Sequence, residues 1–277
     1  MTTWDFTWSD PVDICVDNWT AGSIVVSGEP TSSVFVEVVP SHRHAELIDQ
    51  VQVAFEDGQL YIRGPKAGTL RRWQGLDLTI KAPAGSSCAA KTVSSDLSCV
   101  GEISAVSLHT ASGALTAASV GAVAMRSASG DAFLSRVSGT VILHTASGNI
   151  QAARIEGDVR INTASGDVAI AYCGGSVGVQ TASGDVTLGG VGAGRVELAS
   201  TSGDLAVGVI RGLGVYLDLA SHSGDIRSEL DASGGPDVGR AGTEAESEPT
   251  LRVSCRTISG DIKITKSPVE LSEPAAV

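Results

Sequence analysis

The sequence predicts an all-β, single-domain β-solenoid in which each coil of about eighteen residues contributes two strands. Three observations support this fold class. A Ser-Gly-Asp turn recurs at nearly constant spacing, apolar residues recur in alternating pairs between the turns, and the composition, with 33 glycines and few long helix-forming side chains, disfavours helices. One such unit cannot bury its own apolar face, so neighbouring units must stack into a continuous core.

The turn repeat sets the length of the coil. Its glycines follow one another at intervals of 17, 18, 18, 18, 19, 21 and 36 residues, and the last interval is twice eighteen. These glycines are Gly113, Gly130, Gly148, Gly166, Gly184, Gly203, Gly224 and Gly260. A decayed copy at Ser95 places the start of the array near residue 85. We expect each glycine to supply the positive φ of a tight turn, so that a side chain at Gly166 would strain the backbone.

The predicted strands each have one buried and one outward face. Val159 and Ile161 point to one side of their strand, while Arg160 and Asn162 point to the other. Such pairs recur every nine or ten residues, which indicates two strands per coil rather than the three sides of a hexapeptide helix. The outward residues that precede the turns form a chemically mixed column, as a solvated face would. They are His109, Arg126, His144, Asn162, Gln180, Ala199, Ala220 and Arg256.

The array has less regular segments around it. Residues 1–84 carry weaker strand patterns and are predicted to form an N-terminal β cap with the first coils, before the solenoid of residues 85–266. Residues 231–249 are interpreted as a flexible acidic loop inserted into one turn, because few of them can pack. Residues 267–277 are predicted to be a disordered tail. Since solenoid ends present unpaired strand edges, self-association through the ends is left open.

Charge and hydropathy narrow the expected partners. The formal net charge of −12 argues against nucleic acid, which it would repel at long range. No apolar stretch is long enough for a membrane span, and the N-terminus lacks the features of a secretory signal peptide. We therefore expect a cytoplasmic protein, with peripheral association with the cell envelope left open.

The cysteines lack CxxC spacing, and four of them are expected to be small buried hydrophobes. The five cysteines of the chain are Cys15, Cys88, Cys99, Cys173 and Cys255.

The acids of the turns are expected to stack along one edge of the solenoid, and two interpretations are open. In the first, each aspartate caps its own turn in a hydrated environment. In the second, the acids Asp167, Asp185, Asp204 and Asp225 form a Ca²⁺-binding ladder. Four histidines are interpreted as surface residues rather than metal ligands. They are His42, His44, His109 and His144.

No catalytic centre or cofactor site is predicted. The repeated serines are turn residues, and none lies in a Gly-x-Ser-x-Gly elbow. A polysaccharide-acting β-helix enzyme is the alternative from another class, because such enzymes also expose acids on stacked strands. Those enzymes need a cleft built by long loops, whereas the coils here are short and regular.

Three features carry a resemblance to a known family. They are GSIVVSG at residue 22, the LDLTIKAPAGSS stretch at 76–87, and the chain of SGDV-like turns that follows. Together they resemble a bacterial family of β-strand-repeat proteins of unknown function, commonly labelled putative adhesins. The resemblance brings no catalytic residues. We interpret the chain as a non-enzymatic β-solenoid whose long surface serves as a binding or assembly scaffold for an unknown protein or envelope partner.

Overall fold

The computed structural model describes residues 1–40, 45–65, 75–230 and 251–267. The predicted all-β solenoid is confirmed: the described residues form 23 strands and one short 3-10 helix, Ala45–Gln50. The strands are β1 (Thr2–Thr7), β2 (Asp13–Trp19), β3 (Ser23–Glu29), β4 (Ser33–Pro40), β5 (Gln52–Glu56), β6 (Gln59–Arg63), β7 (Leu76–Pro83), β8 (Ser86–Thr92), β9 (Asp96–His109), β10 (Leu115–Arg126), β11 (Ala132–Val137), β12 (Val141–His144), β13 (Ile150–Ile155), β14 (Val159–Asn162), β15 (Val168–Cys173), β16 (Val177–Gln180), β17 (Val186–Val191), β18 (Gly194–Ala199), β19 (Leu205–Val209), β20 (Val215–Ser221), β21 (Ile226–Ser228), β22 (Leu251–Thr257) and β23 (Ile262–Lys266).

The coils form two stacks of parallel strands that face each other across the core. The first stack runs in the order β7, β3, β9, β10, β11, β13, β15, β17, β19, β23, β21. The second runs in the order β6, β2, β8, β9, β10, β12, β14, β16, β18, β22, β20. The long strands β9 and β10 contribute to both stacks. Each Ser-Gly-Asp turn leads from the second stack to the first.

The register follows the repeat. Ile150 lies beside Val168, and Val168 beside Val186, each eighteen residues further along the chain. Val159 and Ile161 are buried while Arg160 is exposed, as the alternation predicts. Equivalent apolar side chains therefore form columns through the interior, which is the continuous core that a stacked repeat requires.

Stacking order and chain order differ at both ends. The coil of β2 and β3 lies between the coil of β6 and β7 and that of β8 and β9. At the other end, among the described residues, the coil of β22 and β23 lies inside, and the earlier coil of β20 and β21 is outermost. The column predicted before the turns therefore runs Ala199, Arg256, Ala220 in space.

The two ends also differ in pairing. At the N-terminal end, β4 adds to β7 and β1 adds to β4, both antiparallel, while β5 adds antiparallel to β6. Phe55 on β5 contacts two aromatic rings of the N-terminal segment, with ring centroids 5.1 Å from Phe6 and 5.5 Å from Trp8. These contacts join the two stacks over the end of the core. Parallel strands alone form the opposite end in the described part of the chain.

Several predictions fall partly or wholly outside the described residues. The loop predicted at 231–249 lies there, as do His42, His44 and all of the predicted tail except Ser267. Ser267 is buried, and its N–H donates to the carbonyl of Val209 at 2.8 Å. Within the described ranges, no helix has the length and apolar character needed to cross a bilayer.

Candidate functional site

The five turns from Gly113 to Gly184 share one hydrogen-bonding scheme, in which a hydroxyl oxygen accepts the glycine N–H. At the centre of the array, Thr163 Oγ1 accepts the N–H of Gly166 at 3.0 Å, and Thr181 does the same for Gly184. A short hydroxyl side chain satisfies a donor that the turn would otherwise leave unpaired. Thr163 and Thr181 are buried, so this position closes the core at the corner of the coil.

The predicted role of the turn glycines is wrong. The described glycines with positive φ are Gly22, Gly58, Gly85, Gly101, Gly194 and Gly212, and none belongs to a Ser-Gly-Asp turn. Close approach of the coils explains the requirement instead. A Cβ on Gly166 would lie 2.0 Å from the carbonyl oxygen of Gly148, and one on Gly184 would lie 2.1 Å from that of Gly166. The glycines stack backbone on backbone, and no side chain fits between them.

The turn acids form a hydrogen-bonded column, here called the acidic ladder. In each member except the last, Asp225, the Oδ1 atom accepts the backbone N–H of the equivalent residue in the next coil, as from Asp185 to Asp167 at 3.0 Å and from Asp204 to Asp185 at 2.9 Å. In stacking order, the members are Asp131, Asn149, Asp167, Asp185, Asp204, Asp261 and Asp225. The acids do accept backbone hydrogen bonds, but the donor lies in the next coil rather than in the same turn.

The candidate Ca²⁺ residues all lie on this ladder. Asp167, Asp185 and Asp204 are consecutive members, whereas Asp225 is at the outermost coil beside Asp261. One oxygen of each of the first three already accepts a backbone N–H. In the part of the chain that the structure describes, no group of three or more His, Cys, Asp or Glu is arranged to hold a metal ion. Calcium binding stays a prediction.

A depression of about 620 Å³ lies on the outward face of the second stack, where β14, β16, β18, β22 and β20 are neighbours. Gly178 and Ala199 occupy outward positions there, and the space stays open because glycine has no side chain and alanine has only a methyl group. Four exposed arginines line it. They are Arg160, Arg195, Arg252 and Arg256. These four arginines with Gly178 and Ala199 are called the arginine groove below; Tyr216 and Asp218 line its outer end.

The charges of the groove are only partly compensated. Arg195 is paired with Glu197, and Arg256 with Asp218 at 3.2 Å. Among the described residues, Arg160 and Arg252 have neither an ion pair nor a side-chain hydrogen bond. Arg195 and Arg252 occupy facing positions on the adjacent strands β18 and β22. Like charges placed side by side on a sheet repel, so an anion between them would be stabilising.

A sequence model of the Toastrack DUF4097 family matches residues 17–265. The chain belongs to this family. The resemblance carried by the SGDV-like turns is thereby confirmed, and no curated protein matches the chain.

Solved structures similar to this Toastrack chain are distant in sequence. A putative adhesin from Bacteroides fragilis is 15% identical, with a TM-score of 0.41 and coverage of 95% of this chain and 96% of that one. A putative lipid binding protein from Parabacteroides distasonis is 17% identical, with a TM-score of 0.41 and coverage of 96% of both chains. A putative cell adhesion protein from Clostridium sporogenes is 11% identical, with a TM-score of 0.26 and coverage of 96% and 99%.

Sequence reasoning missed the groove in this Toastrack chain. Arg195 and Arg252 are 57 residues apart and become neighbours only because the coil of β22 and β23 inserts before that of β20 and β21. Stacking in chain order would place Tyr216 next to Arg195. A sequence signal for the pairing is that the second residue of each strand, Gly194–Ala199 and Leu251–Thr257, is an outward arginine.

The histidines predicted at the surface of this Toastrack chain form no metal site among the described residues. His144 Nδ1 lies 3.2 Å from Asn162 Nδ2, one coil further along the mixed column. His109 lies beside Arg126 in the register of the same column. This column extends into the groove through Asn162 and Arg256, so part of the face predicted to be merely solvated lines the candidate site.

The cysteines of this Toastrack chain are free, and four of the five are buried, as predicted. Burial raises the pKa of Cys99 and of Cys255 to about 12, and that of Cys173 to about 11. Burial also raises the pKa of Cys88, with the nearby Cys99 adding to the effect. Since the thiolate is the reactive form, these four thiols act as core side chains.

Proposed function

We propose that the chain is a non-enzymatic binding scaffold whose arginine groove holds a ligand that carries oxyanions. The single observation that carries the proposal is the placement of Arg195 beside Arg252, with Arg160 and Arg252 unpaired in the described residues. Four arginines and two carboxylates leave this surface cationic in a chain whose formal net charge is −12. The excess of positive charge is therefore local and faces outward.

The chemistry of arginine narrows the ligand to carboxylate, sulfate or phosphate groups. A guanidinium presents a planar set of donors that fits two oxygens of such a group at once. Arg195 and Arg252 project from neighbouring strands, whose spacing in a sheet is about 4.8 Å, so one oxyanion can contact both. Arg160 and Arg256 lie further along the same face and suit a second anionic group of the same ligand.

The scaffold lowers the cost of binding. The arginines lie on β14, β18 and β22. Each of these strands is hydrogen-bonded through its backbone to a neighbouring strand on both sides. Little backbone entropy is therefore lost when a ligand enters, which favours affinity. The two carboxylates of the groove, Glu197 and Asp218, are each engaged by an arginine, and this supports a binding role rather than acid–base chemistry.

Isothermal titration calorimetry tests the proposal, with inorganic phosphate, citrate and linear polyphosphate as probes. We expect Arg252→Ala and Arg195→Ala each to weaken binding of the best probe about tenfold or more, since a charge-assisted hydrogen bond contributes about 1.5–3 kcal/mol. Arg136→Ala is the matched control, because Arg136 is an exposed strand arginine on the first stack, outside the groove. An equal loss in that control, or no heat with any probe at millimolar concentration, would overturn the proposal.

Adhesion is the wider role that the resemblance implies, and it stays a proposal. Fractionation of native cells with external protease treatment tests it directly. Recovery of the intact chain only from the interior of treated cells would remove an adhesive role, while leaving anion binding in the groove untouched.

A further inference from the structure

The outermost coil at the C-terminal end of the solenoid is paired on one side only. Among the described residues, β20 pairs with β22 and β21 with β23, and nothing pairs with their outer edges. The same coil exposes apolar side chains: Tyr216 is 58% and Ile226 is 45% exposed. Val215, Leu217 and Leu219 face the core but are only partly buried. An uncovered edge beside uncovered apolar surface is the usual starting point for strand addition.

The backbone of β20 is oriented for such addition. The N–H of Leu251 donates to the carbonyl of Gly214 at 3.1 Å, and the N–H of His222 donates to the carbonyl of Thr257 at 3.3 Å. Alternate residues of a strand bond to the same neighbour, so the even-numbered residues of β20 bond to β22. The N–H and C=O groups of the odd-numbered residues Val215, Leu217 and Leu219 therefore point off the end of the solenoid.

We propose that a second copy of the chain covers this end, with the two β20 strands antiparallel and Leu217 opposite Leu217. In this register, Val215 of each copy faces Leu219 of the other. The outward-pointing groups then form about six hydrogen bonds across the two-fold axis. The partly buried apolar residues of both copies meet in one core, which removes their remaining exposure.

The outward face selects this register over its neighbour. With Leu217 at the axis, Tyr216 of each copy faces Asp218 of the other, and Asp218 also holds Arg256. Moving the axis to Asp218 would place two carboxylates opposite each other in the closest type of antiparallel pair, and like charges there are destabilising. The β20 strand is thus complementary to itself in one arrangement.

A second copy fits better than other occupants. The opposite end of the solenoid is occupied by the antiparallel strands β1, β4 and β5, and its aromatic rings Phe6, Trp8 and Phe55 already pack against one another. Residues 231–250 contain five acids and only one large apolar residue, Val238, which gives them little to pack on the end. The contact between two β20 strands uses the same edge of both copies, so association through it stops at two copies.

The pairing has a consequence for the arginine groove, and this consequence alone rests on the proposed function. Tyr216 and Asp218 on β20 line the outer end of the groove. Two β20 strands side by side would therefore join two grooves across the axis into one longer cationic surface. Dimerisation itself is measured without any ligand, so its failure and the failure of anion binding are separate results.

Sedimentation equilibrium of the full chain tests the dimer. We expect a mass of about 56 kDa, twice that of the 28.1 kDa chain. Leu217→Pro should give a monomer with unchanged circular dichroism, because proline is tolerated where a strand N–H faces away from its neighbour. Phe133→Lys is the matched control, since Phe133 is a half-exposed apolar residue on the first stack and should leave the dimer intact.

A disulfide test keeps the register falsifiable if the proline variant does not fold. In a Cys15→Ser background, Leu217→Cys should form an intermolecular disulfide on mild oxidation, because Cα atoms of a hydrogen-bonded antiparallel pair lie about 5.5 Å apart. Tyr216→Cys should form it less readily, since that residue faces Asp218 rather than itself. A monomeric wild-type chain at about 100 μM, well above typical dissociation constants of specific dimers, would overturn the proposal.

Discussion

The two ends of the solenoid terminate the same repeat in opposite ways. At the N-terminal end, antiparallel strands β1, β4 and β5 are added, and Phe55 packs against Phe6 and Trp8 over the core. At the C-terminal end, a parallel coil that belongs earlier in the chain is outermost, and Ile226 and Tyr216 are left exposed. The described residues therefore cover the core with aromatic side chains at one end and leave apolar side chains exposed at the other.

The difference between the ends predicts that a substitution destabilises the middle coils more than the outermost coil. A coil in the middle is bonded on two sides and loses both sets of contacts if it is distorted, whereas the outermost coil is bonded to one neighbour among the described strands and can shift more easily. The arginine groove lies toward the C-terminal end of the solenoid, where the outermost coil can shift. Substitutions placed at equivalent turn positions in the middle and at the end measure this contrast directly.

The largest expected effect comes from the stacked glycines. Gly166→Ala places a Cβ 2.0 Å from the carbonyl oxygen of Gly148, and both flanking coils hold that backbone in place. We expect a loss of about 3 kcal/mol or more in the free energy of unfolding, typical of severe overpacking. Gly224→Ala creates a similar contact with Gly260, but the outermost coil can move away, so the expected loss is about 1 kcal/mol. Urea unfolding followed by circular dichroism measures both.

Gly212 allows the cost of backbone strain to be measured without any close contact between coils. Gly212 has a φ of +88°, and a Cβ there would meet nothing within 4 Å. Gly212→Ala should cost about 1 kcal/mol from strain alone. If Gly166→Ala cost no more than Gly212→Ala, close stacking of the coils would not be the reason for glycine in the turns.

A smaller effect is expected along the acidic ladder. Asp185→Ala removes the acceptor for the N–H of Asp204 and should cost about 1 kcal/mol. Asp185→Asn keeps an acceptor, as Asn149 does naturally, and should change the free energy of unfolding by less than about 0.5 kcal/mol.

Asp225 provides the comparison at the open end of the ladder. Its carboxylate contacts only the exposed Arg227, at 2.9 Å, among the described residues. Asp225→Ala should therefore cost less than about 0.5 kcal/mol, because exposed ion pairs contribute little. Equal losses for Asp185→Ala and Asp225→Ala in the same urea titration would mean that the bond between coils contributes nothing measurable.

The middle of the molecule could be predicted from the sequence, and the ends could not. Gly148, Gly166 and Gly184 are eighteen residues apart, and that spacing alone gives the register of their coils. The coils at 215–228 and 251–266 both satisfy the same pattern, so the pattern cannot say which is outermost. The arginine groove depends on that order and was missed for this reason. The sequence also cannot distinguish a glycine required for positive φ from one required for close contact between coils, because both positions are simply glycine.

The smallest expected effect tests the calcium interpretation of the ladder. Asp167 and Asp185 each use one carboxylate oxygen for a backbone N–H of the next coil, which leaves one oxygen per coil on a hydrated edge. Ca²⁺ prefers six to eight oxygen ligands, so the ladder offers it few. We expect millimolar Ca²⁺ and Mg²⁺ to raise the melting temperature equally, by about 2 °C or less, because both ions screen the repulsion between stacked acids in the same way. A rise specific to Ca²⁺ that chelator reverses and Asp185→Asn removes would instead establish a calcium site in the middle of the array.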